Sequence, residues 1–159
     1  MSLTTDEALT LTGLRRFLLV ILQLGMAGTA IELLLLDHVV DATQLIPLSL
    51  LGTGLVVVTW NAWARRRGSV VAVQIVMVLF VAGGFAGLYF HYRANAEFQL
   101  EIDPALRGAN LLWTVLRAKT PPALSPGMLV HLGLVGLAYA YRQPVVSRGG
   151  ALEENRDES

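Results

Sequence analysis

Four long apolar runs dominate this sequence. About 20 apolar residues are needed to cross a hydrocarbon core of about 30 Å as an α-helix. Three of the runs contain no Asp, Glu, Lys or Arg, and the first contains a single acidic residue, Glu32. Each run is flanked by charged residues, so each is predicted to be a transmembrane helix. The predicted spans are residues 17–36, 42–64, 68–90 and 122–141.

The composition favours a membrane protein over a soluble helical domain. Hydrophobic residues make up 54% of the chain and charged residues 15%, against about 45–50% and about 25% in soluble domains. A soluble bundle would also show a charged face with a period of about 3.6 residues, and the four runs lack one. We therefore predict an all-α fold, a four-helix transmembrane bundle, as a single domain over residues 1–144. Residues 145–159 are rich in Gly, Glu and Arg and are predicted to form a disordered tail.

Cysteine content and charge exclude several classes of protein. The chain has no cysteine, which excludes a disulfide scaffold and a thiol enzyme. Its 12 basic residues balance its 12 acidic residues, whereas a nucleic-acid-binding protein has a basic excess. We expect the partners to be the lipid bilayer and other membrane subunits or a second copy of the chain, with no nucleic acid.

The distribution of basic residues predicts the orientation. Cytoplasmic loops of membrane proteins are enriched in Lys and Arg. In the predicted topology eight basic residues lie on one side and four on the other, so both termini are expected in the cytoplasm, in a bacterial inner membrane. The larger set is Arg15, Arg16, Arg65, Arg66, Arg67, Arg142, Arg148 and Arg156, and the smaller set is Arg93, Arg107, Arg117 and Lys119.

The outer loop between spans three and four is predicted to contain a short interfacial helix. Span three is expected to continue helically past the membrane surface, because the residues after it are good helix formers. Asp103 and Pro104 are typical of an N-cap followed by the first helical position. A helix over residues 105–118 would be too short to span the bilayer, and its apolar face suits the membrane interface.

Small residues predict which helix faces pack together. Helices in lipid associate closely where Gly, Ala, Ser and Thr recur, and every predicted span carries such a face. In span one, Gly25, Gly28 and Thr29 precede Glu32 by seven, four and three residues. This helical spacing predicts that Glu32 points into the bundle.

The histidines are predicted to gather on the outer side. In this topology His38, His91 and His131 all lie in the outer half, together with Glu32. Imidazoles and carboxylates from separate helices are the usual ligands of a metal site in a bundle, and two histidines can hold a haem. The candidate metal ligands are therefore His38, His91, His131 and Glu32. Candidates for ligand binding or proton relay are Glu32, His91, Asn95, Glu97 and His131.

Several functions remain open at this point. The absence of a nucleophile motif or a phosphate-binding motif favours a non-enzymatic accessory or assembly subunit, or a small-molecule binder with a polar pocket at the outer side. The histidines favour instead a metal- or haem-binding redox protein. Glu32 is also compatible with a proton-coupled small transporter. A buried hydrogen bond from Glu32 to His91 or His131 would give these residues a purely structural role.

Overall fold

The computed structural model describes residues 5–35, 45–117 and 124–143. Within these ranges the chain forms five α-helices and no strand, which confirms the all-α prediction. The tail over residues 145–159 and His38 lie outside the described residues. The helices are α1 (Thr5–Leu35), α2 (Leu45–Ala64), α3 (Arg67–Ile102), α4 (Gly108–Leu116) and α5 (Leu124–Ala140).

Three of these helices are long and apolar enough to cross a membrane, namely α1, α2 and α3. They contain the first three predicted spans, apart from the residues at the span ends that fall outside the described ranges. The α5 helix corresponds to the fourth predicted span, 122–141, and has 17 residues. At 1.5 Å per residue it is about 26 Å long.

Helices α1, α2, α3 and α5 enclose one apolar core. Contacts join α1 to α2, α2 to α3, α3 to α5, and α5 back to α1, so each of these helices has two neighbours. Burying large side chains at the centre stabilises this arrangement through dispersion contacts. The largest buried side chains include Leu22, Met26, Leu51, Met77, Phe80 and Leu132.

The closest helix pair is α3 and α5, and glycines allow the approach. A Cβ atom at Gly133 would lie 2.8 Å from the carbonyl oxygen of Met77, and one at Gly84 would lie 2.8 Å from that of Pro126. Because backbone cannot move aside as a side chain can, these positions admit only glycine without a shift of the helices. The prediction that small residues mark packing faces is confirmed here.

The α3 helix continues far beyond residue 90, as predicted, but α4 begins later than expected. The predicted N-cap at Asp103 is wrong, because Asp103 instead ends α3, donating its backbone N–H to Gln99 O at 2.9 Å. Its carboxylate accepts from the backbone N–H of Ala105 in a local turn. The N-cap of α4 is Arg107, and Gly108 follows with φ of 55°, a left-handed conformation that favours glycine.

Most described arginines lie at one end of the helices, here called the arginine end. Arg15 and Arg16 come before the apolar part of α1, the two-residue connection between α2 and α3 is Arg65–Arg66, and Arg142 follows α5. The arginine end is joined across helices, because the Arg15 guanidinium donates to the carbonyl oxygen of Arg142 at 2.9 Å. This bond satisfies a carbonyl just beyond the C-terminus of α5, where a cation also complements the helix dipole.

Candidate functional site

Glu32 is exposed rather than enclosed by the helices. The prediction that it points into the bundle is therefore wrong. The buried residues of α1 are Leu22, Met26, Thr29 and Leu33, and Glu32 lies to one side of the stripe that they form. The glycine spacing placed Glu32 on the small-residue face of α1, but this face does not enclose the carboxylate.

The side of α1 that carries Glu32 is the side that faces α5. Gly25 marks this side, because a Cβ atom there would lie 2.6 Å from the Leu132 side chain of α5. Glu32 follows Gly25 by seven residues, close to two helical turns, and so returns to nearly the same side. Gly28 is exposed between them, and a Cβ atom there would meet nothing within 4 Å.

His131 precedes the α5 residue that contacts α1 and lies on the outward side of α5. Consecutive helical residues turn by about 100°. Gly133 contacts α3 and Leu132 contacts α1, so the preceding residue, His131, lies one step further round on the α1 side. The structure leaves His131 exposed. Gly28, Glu32 and His131 therefore share one outer surface along the seam between the two helices, which we call the α1–α5 face.

The two ionisable groups of the α1–α5 face lie at different heights. Helices α1 and α5 are antiparallel, since Arg15 contacts Arg142 and Gly25 contacts Leu132. In this register His131 lies beside Met26, and Glu32 follows Met26 by six residues, or about 9 Å along the axis. Among the described residues neither side chain has a hydrogen-bond partner, so the structure does not join them directly.

The other predicted site residues lie still further along the bundle. The α3–α5 contacts place His131 beside Val81, and His91 follows Val81 by ten residues, or about 15 Å. Asn95 and Glu97 come after His91 on the same helix. Asn95 donates to the carbonyl oxygen of His91 at 2.9 Å, a bond within one helical turn.

Glu97 forms the ion pair that its spacing suggests. Its carboxylate accepts from Arg93 at 2.8 Å, one turn earlier, and both side chains are largely exposed. Such an exposed pair on one helix contributes little to stability, because solvent screens the attraction. This pair lies on the C-terminal part of α3 and leaves the carboxylate apart from His131.

The predicted metal ligands are spread along the axis. No group of three His, Asp or Glu residues that could hold a metal ion occurs within the described ranges. His91 and His131 are about 15 Å apart along the bundle, whereas a zinc ion bonds each imidazole at about 2.0–2.1 Å. The two described histidines therefore cannot serve one ion in this arrangement.

A buried polar cluster that the sequence did not predict lies at the arginine end. Asn61 is fully buried and donates to Gln143 Oε1 at 2.8 Å and to the Tyr139 hydroxyl at 3.3 Å. Its carbonyl oxygen lies 2.8 Å from the buried Ser69 hydroxyl. The cluster joins α2, α3 and the end of α5. The only indication of this cluster in the sequence is one amide side chain, Asn61, in an apolar run beside Trp60.

Comparison of the chain with protein-family models, with curated proteins and with solved structures gives no match.

Proposed function

We propose that the chain is a non-enzymatic integral membrane protein, an accessory or assembly subunit that docks a transmembrane helix on its α1–α5 face. The observation that supports this function is the exposure of Glu32 and His131 on one surface of two apolar helices. A soluble ligand cannot easily reach side chains at this depth. A neighbouring helix can offer them hydrogen bonds.

In the proposed membrane arrangement, α1, α2, α3 and α5 are four spans, and the arginine end is cytoplasmic. The length of α5 and the apolar residues flanking it support a fourth span. The basic residues at one end support both termini on the cytoplasmic side of a bacterial inner membrane. The exposed Leu112 and Trp113 of α4 support its placement at the outer interface.

The depth of Glu32 and His131 in the proposed bilayer explains why a partner helix would dock beside them. Glu32 lies 16 residues after Arg16, or about 24 Å along α1, which is within a hydrocarbon core of about 30 Å. His131, beside Met26, lies about 15 Å from Arg16, near the middle of that core. An ionised carboxylate costs about 2.5–3.5 kcal/mol at the bilayer centre and less toward the edge. Hydrogen bonds from a neighbouring helix, at about 0.6 kcal/mol each on average, and removal of the carboxylate from lipid would offset this cost.

Gly28 makes the same surface suitable for close approach. Small residues at a helix surface let a second backbone come near, and Gly28 is open on the side away from the core. Its position one turn before Glu32 would bring a docked helix next to the carboxylate. The partner is a second copy of the chain or another membrane subunit.

Thiol crosslinking in native membranes tests this proposal, because the chain has no cysteine of its own. Gly28→Cys places a thiol on the α1–α5 face. Gly52→Cys is the matched control, since Gly52 is also exposed with an open Cβ position. Gly52 lies at a similar depth to Gly28, because Gly54, two residues after Gly52, contacts Met26, two residues before Gly28.

We expect a benzophenone maleimide attached at position 28 to crosslink to protein, and the same reagent at position 52 to give little protein adduct. An adduct of twice the chain mass identifies a second copy, and an adduct of another mass identifies a different subunit. Equal yields at the two positions, or no protein adduct at position 28, would show that the α1–α5 face is covered by lipid.

The metal- or haem-binding alternative has a separate test. The protein purified in detergent should show no Soret band and no stoichiometric iron, copper or zinc if the proposed function is correct. A bound metal would favour the redox alternative and direct attention to His38, which lies outside the described residues. The transporter alternative predicts that Glu32→Gln abolishes proton-coupled substrate movement without loss of folding.

A further inference from the structure

A cavity of about 80 Å³ opens at the arginine end between α1, α2 and the end of α5. It is several times larger than the roughly 10–15 Å³ that one water molecule needs. Its polar lining consists of three arginines, one threonine, one tyrosine and one glutamine. These residues are Arg15, Arg16, Arg65, Thr12, Tyr139 and Gln143.

Two of the three arginines are available to a ligand. Arg15 already donates to the carbonyl oxygens of Tyr141 and Arg142. The guanidinium groups of Arg16 and Arg65 form no hydrogen bond or ion pair with any described residue. Arg65 ends α2 with φ of 45°, in the left-handed conformation that commonly closes a helix. The cavity therefore concentrates guanidinium groups that have no internal counter-charge.

No carboxylate among the described residues lines this cavity. The described acidic residues nearest to it along α1 are Asp6 and Glu7. They precede Thr12, the first residue of the lining along α1, by at least five residues, or about 7.5 Å of helix. The lining thus carries three guanidinium groups and no described carboxylate, a charge distribution that favours entry of an anion.

The buried wall of the cavity offers a further donor. Tyr139 is 3% exposed, and its hydroxyl oxygen accepts from Asn61 and Gln143. The hydroxyl proton itself has no acceptor among the described residues. Asn61 is held in turn by Ser69, so the tyrosine is fixed by a hydrogen-bonded network. A preorganised donor of this kind loses little entropy when a ligand binds.

We propose that this cavity binds the phosphate group of an anionic phospholipid. Guanidinium groups match phosphate oxygens in charge and geometry. Basic pockets between transmembrane helices bind anionic headgroups. The exposed Trp60 and Trp63 on the last turns of α2 place the cavity at headgroup level. This site is independent of the α1–α5 face, and a soluble phosphate ester shares its chemistry.

The test uses the full-length protein in a neutral detergent and native mass spectrometry. Dioleoyl phosphatidylglycerol is titrated as the anionic lipid and dioleoyl phosphatidylcholine as its zwitterionic counterpart. Glycerol 3-phosphate and inorganic phosphate are added as competitors in separate arms. We expect phosphatidylglycerol to bind about tenfold more tightly than phosphatidylcholine, or about 1.4 kcal/mol, because the trimethylammonium group of phosphatidylcholine offsets its phosphate charge and is repelled by the arginines.

Matched variants locate the site. Arg16→Gln and Arg65→Gln should each weaken phosphatidylglycerol binding about tenfold, and Tyr139→Phe should weaken it by a smaller factor. Arg67→Gln is the control, because Arg67 lies two residues after Arg65 and does not line the cavity. It removes the same charge from the adjoining first residue of α3 and should change the affinity less than twofold. Circular dichroism checks that every variant folds.

The competitors distinguish the two sources of phosphate. Weak competition at millimolar concentration supports a lipid whose acyl chains contribute to binding. Displacement of the lipid at micromolar concentration supports the phosphate site and assigns it to a soluble ester. The proposal is overturned if Arg65→Gln and Arg67→Gln weaken binding equally, or if the two lipids bind alike.

Discussion

Gly133 of α5 lies directly against the backbone of Met77 in α3, with 2.8 Å between the Met77 carbonyl oxygen and the place where a Cβ would stand. The contact joins the two helices that make the largest interface in the protein. Only the absence of a side chain allows it, since the obstacle is backbone.

Gly133→Ala should therefore destabilise the protein by about 1–3 kcal/mol, the usual cost of overpacking. The measurement is unfolding in mixed detergent micelles, followed by circular dichroism. Gly52→Ala is the control, because its new methyl group meets nothing within 4 Å, and its stability should be unchanged or slightly higher. Equal stability of the two variants would contradict the close packing of α3 on α5.

Asn61→Leu should destabilise the arginine end. The substitution keeps the approximate size of the side chain but removes three hydrogen-bonding contacts, to Ser69, Tyr139 and Gln143. Interhelical hydrogen bonds in membranes contribute about 0.6 kcal/mol on average and up to about 1.7 kcal/mol. We expect a total loss of about 1–3 kcal/mol in the same unfolding measurement.

Gln23→Leu is the matched control for Asn61→Leu. Gln23 donates one exposed hydrogen bond, to Thr59 at 2.8 Å, so its loss should cost well under 1 kcal/mol. If Asn61→Leu were as stable as the unaltered chain, the buried cluster would have no role in holding α2, α3 and α5 together.

The proposed topology predicts which single cysteines are reached from outside the cell. Glu101→Cys, on the exposed outer part of α3, should react with a membrane-impermeant maleimide in intact spheroplasts. Arg67→Cys, at the exposed start of the same helix, should react only after the membrane is permeabilised. If Arg67→Cys but not Glu101→Cys were labelled in intact spheroplasts, the proposed orientation would be contradicted and the opposite orientation indicated.

Much of the fold could be predicted from the sequence because long charge-free runs have few alternative structures. The first three apolar runs predicted α1, α2 and α3 directly. The start of α4 could not be predicted, because an aspartate can begin one helix or end another. In the structure Asp103 ends α3, and α4 begins at Gly108, which adopts a left-handed conformation.

The site was harder to predict because it depends on the register between helices. Periodicity placed Glu32 on the small-residue face of α1, but only the packing shows that Leu22, Met26 and Leu33 fill the core and leave Glu32 outside. The Asn61 cluster and the arginine cavity bring together residues more than 70 positions apart. No local pattern in the sequence links such residues.

The most direct test of the account is the effect of Glu32→Leu on crosslinking from Gly28→Cys in native membranes. If the carboxylate holds a docked helix, the yield of protein adduct should fall severalfold, while the Gly52→Cys control stays low in both backgrounds. If Glu32 merely faces lipid, leucine suits its surroundings better. The yield would then be unchanged or higher, which would contradict a docking role for the α1–α5 face.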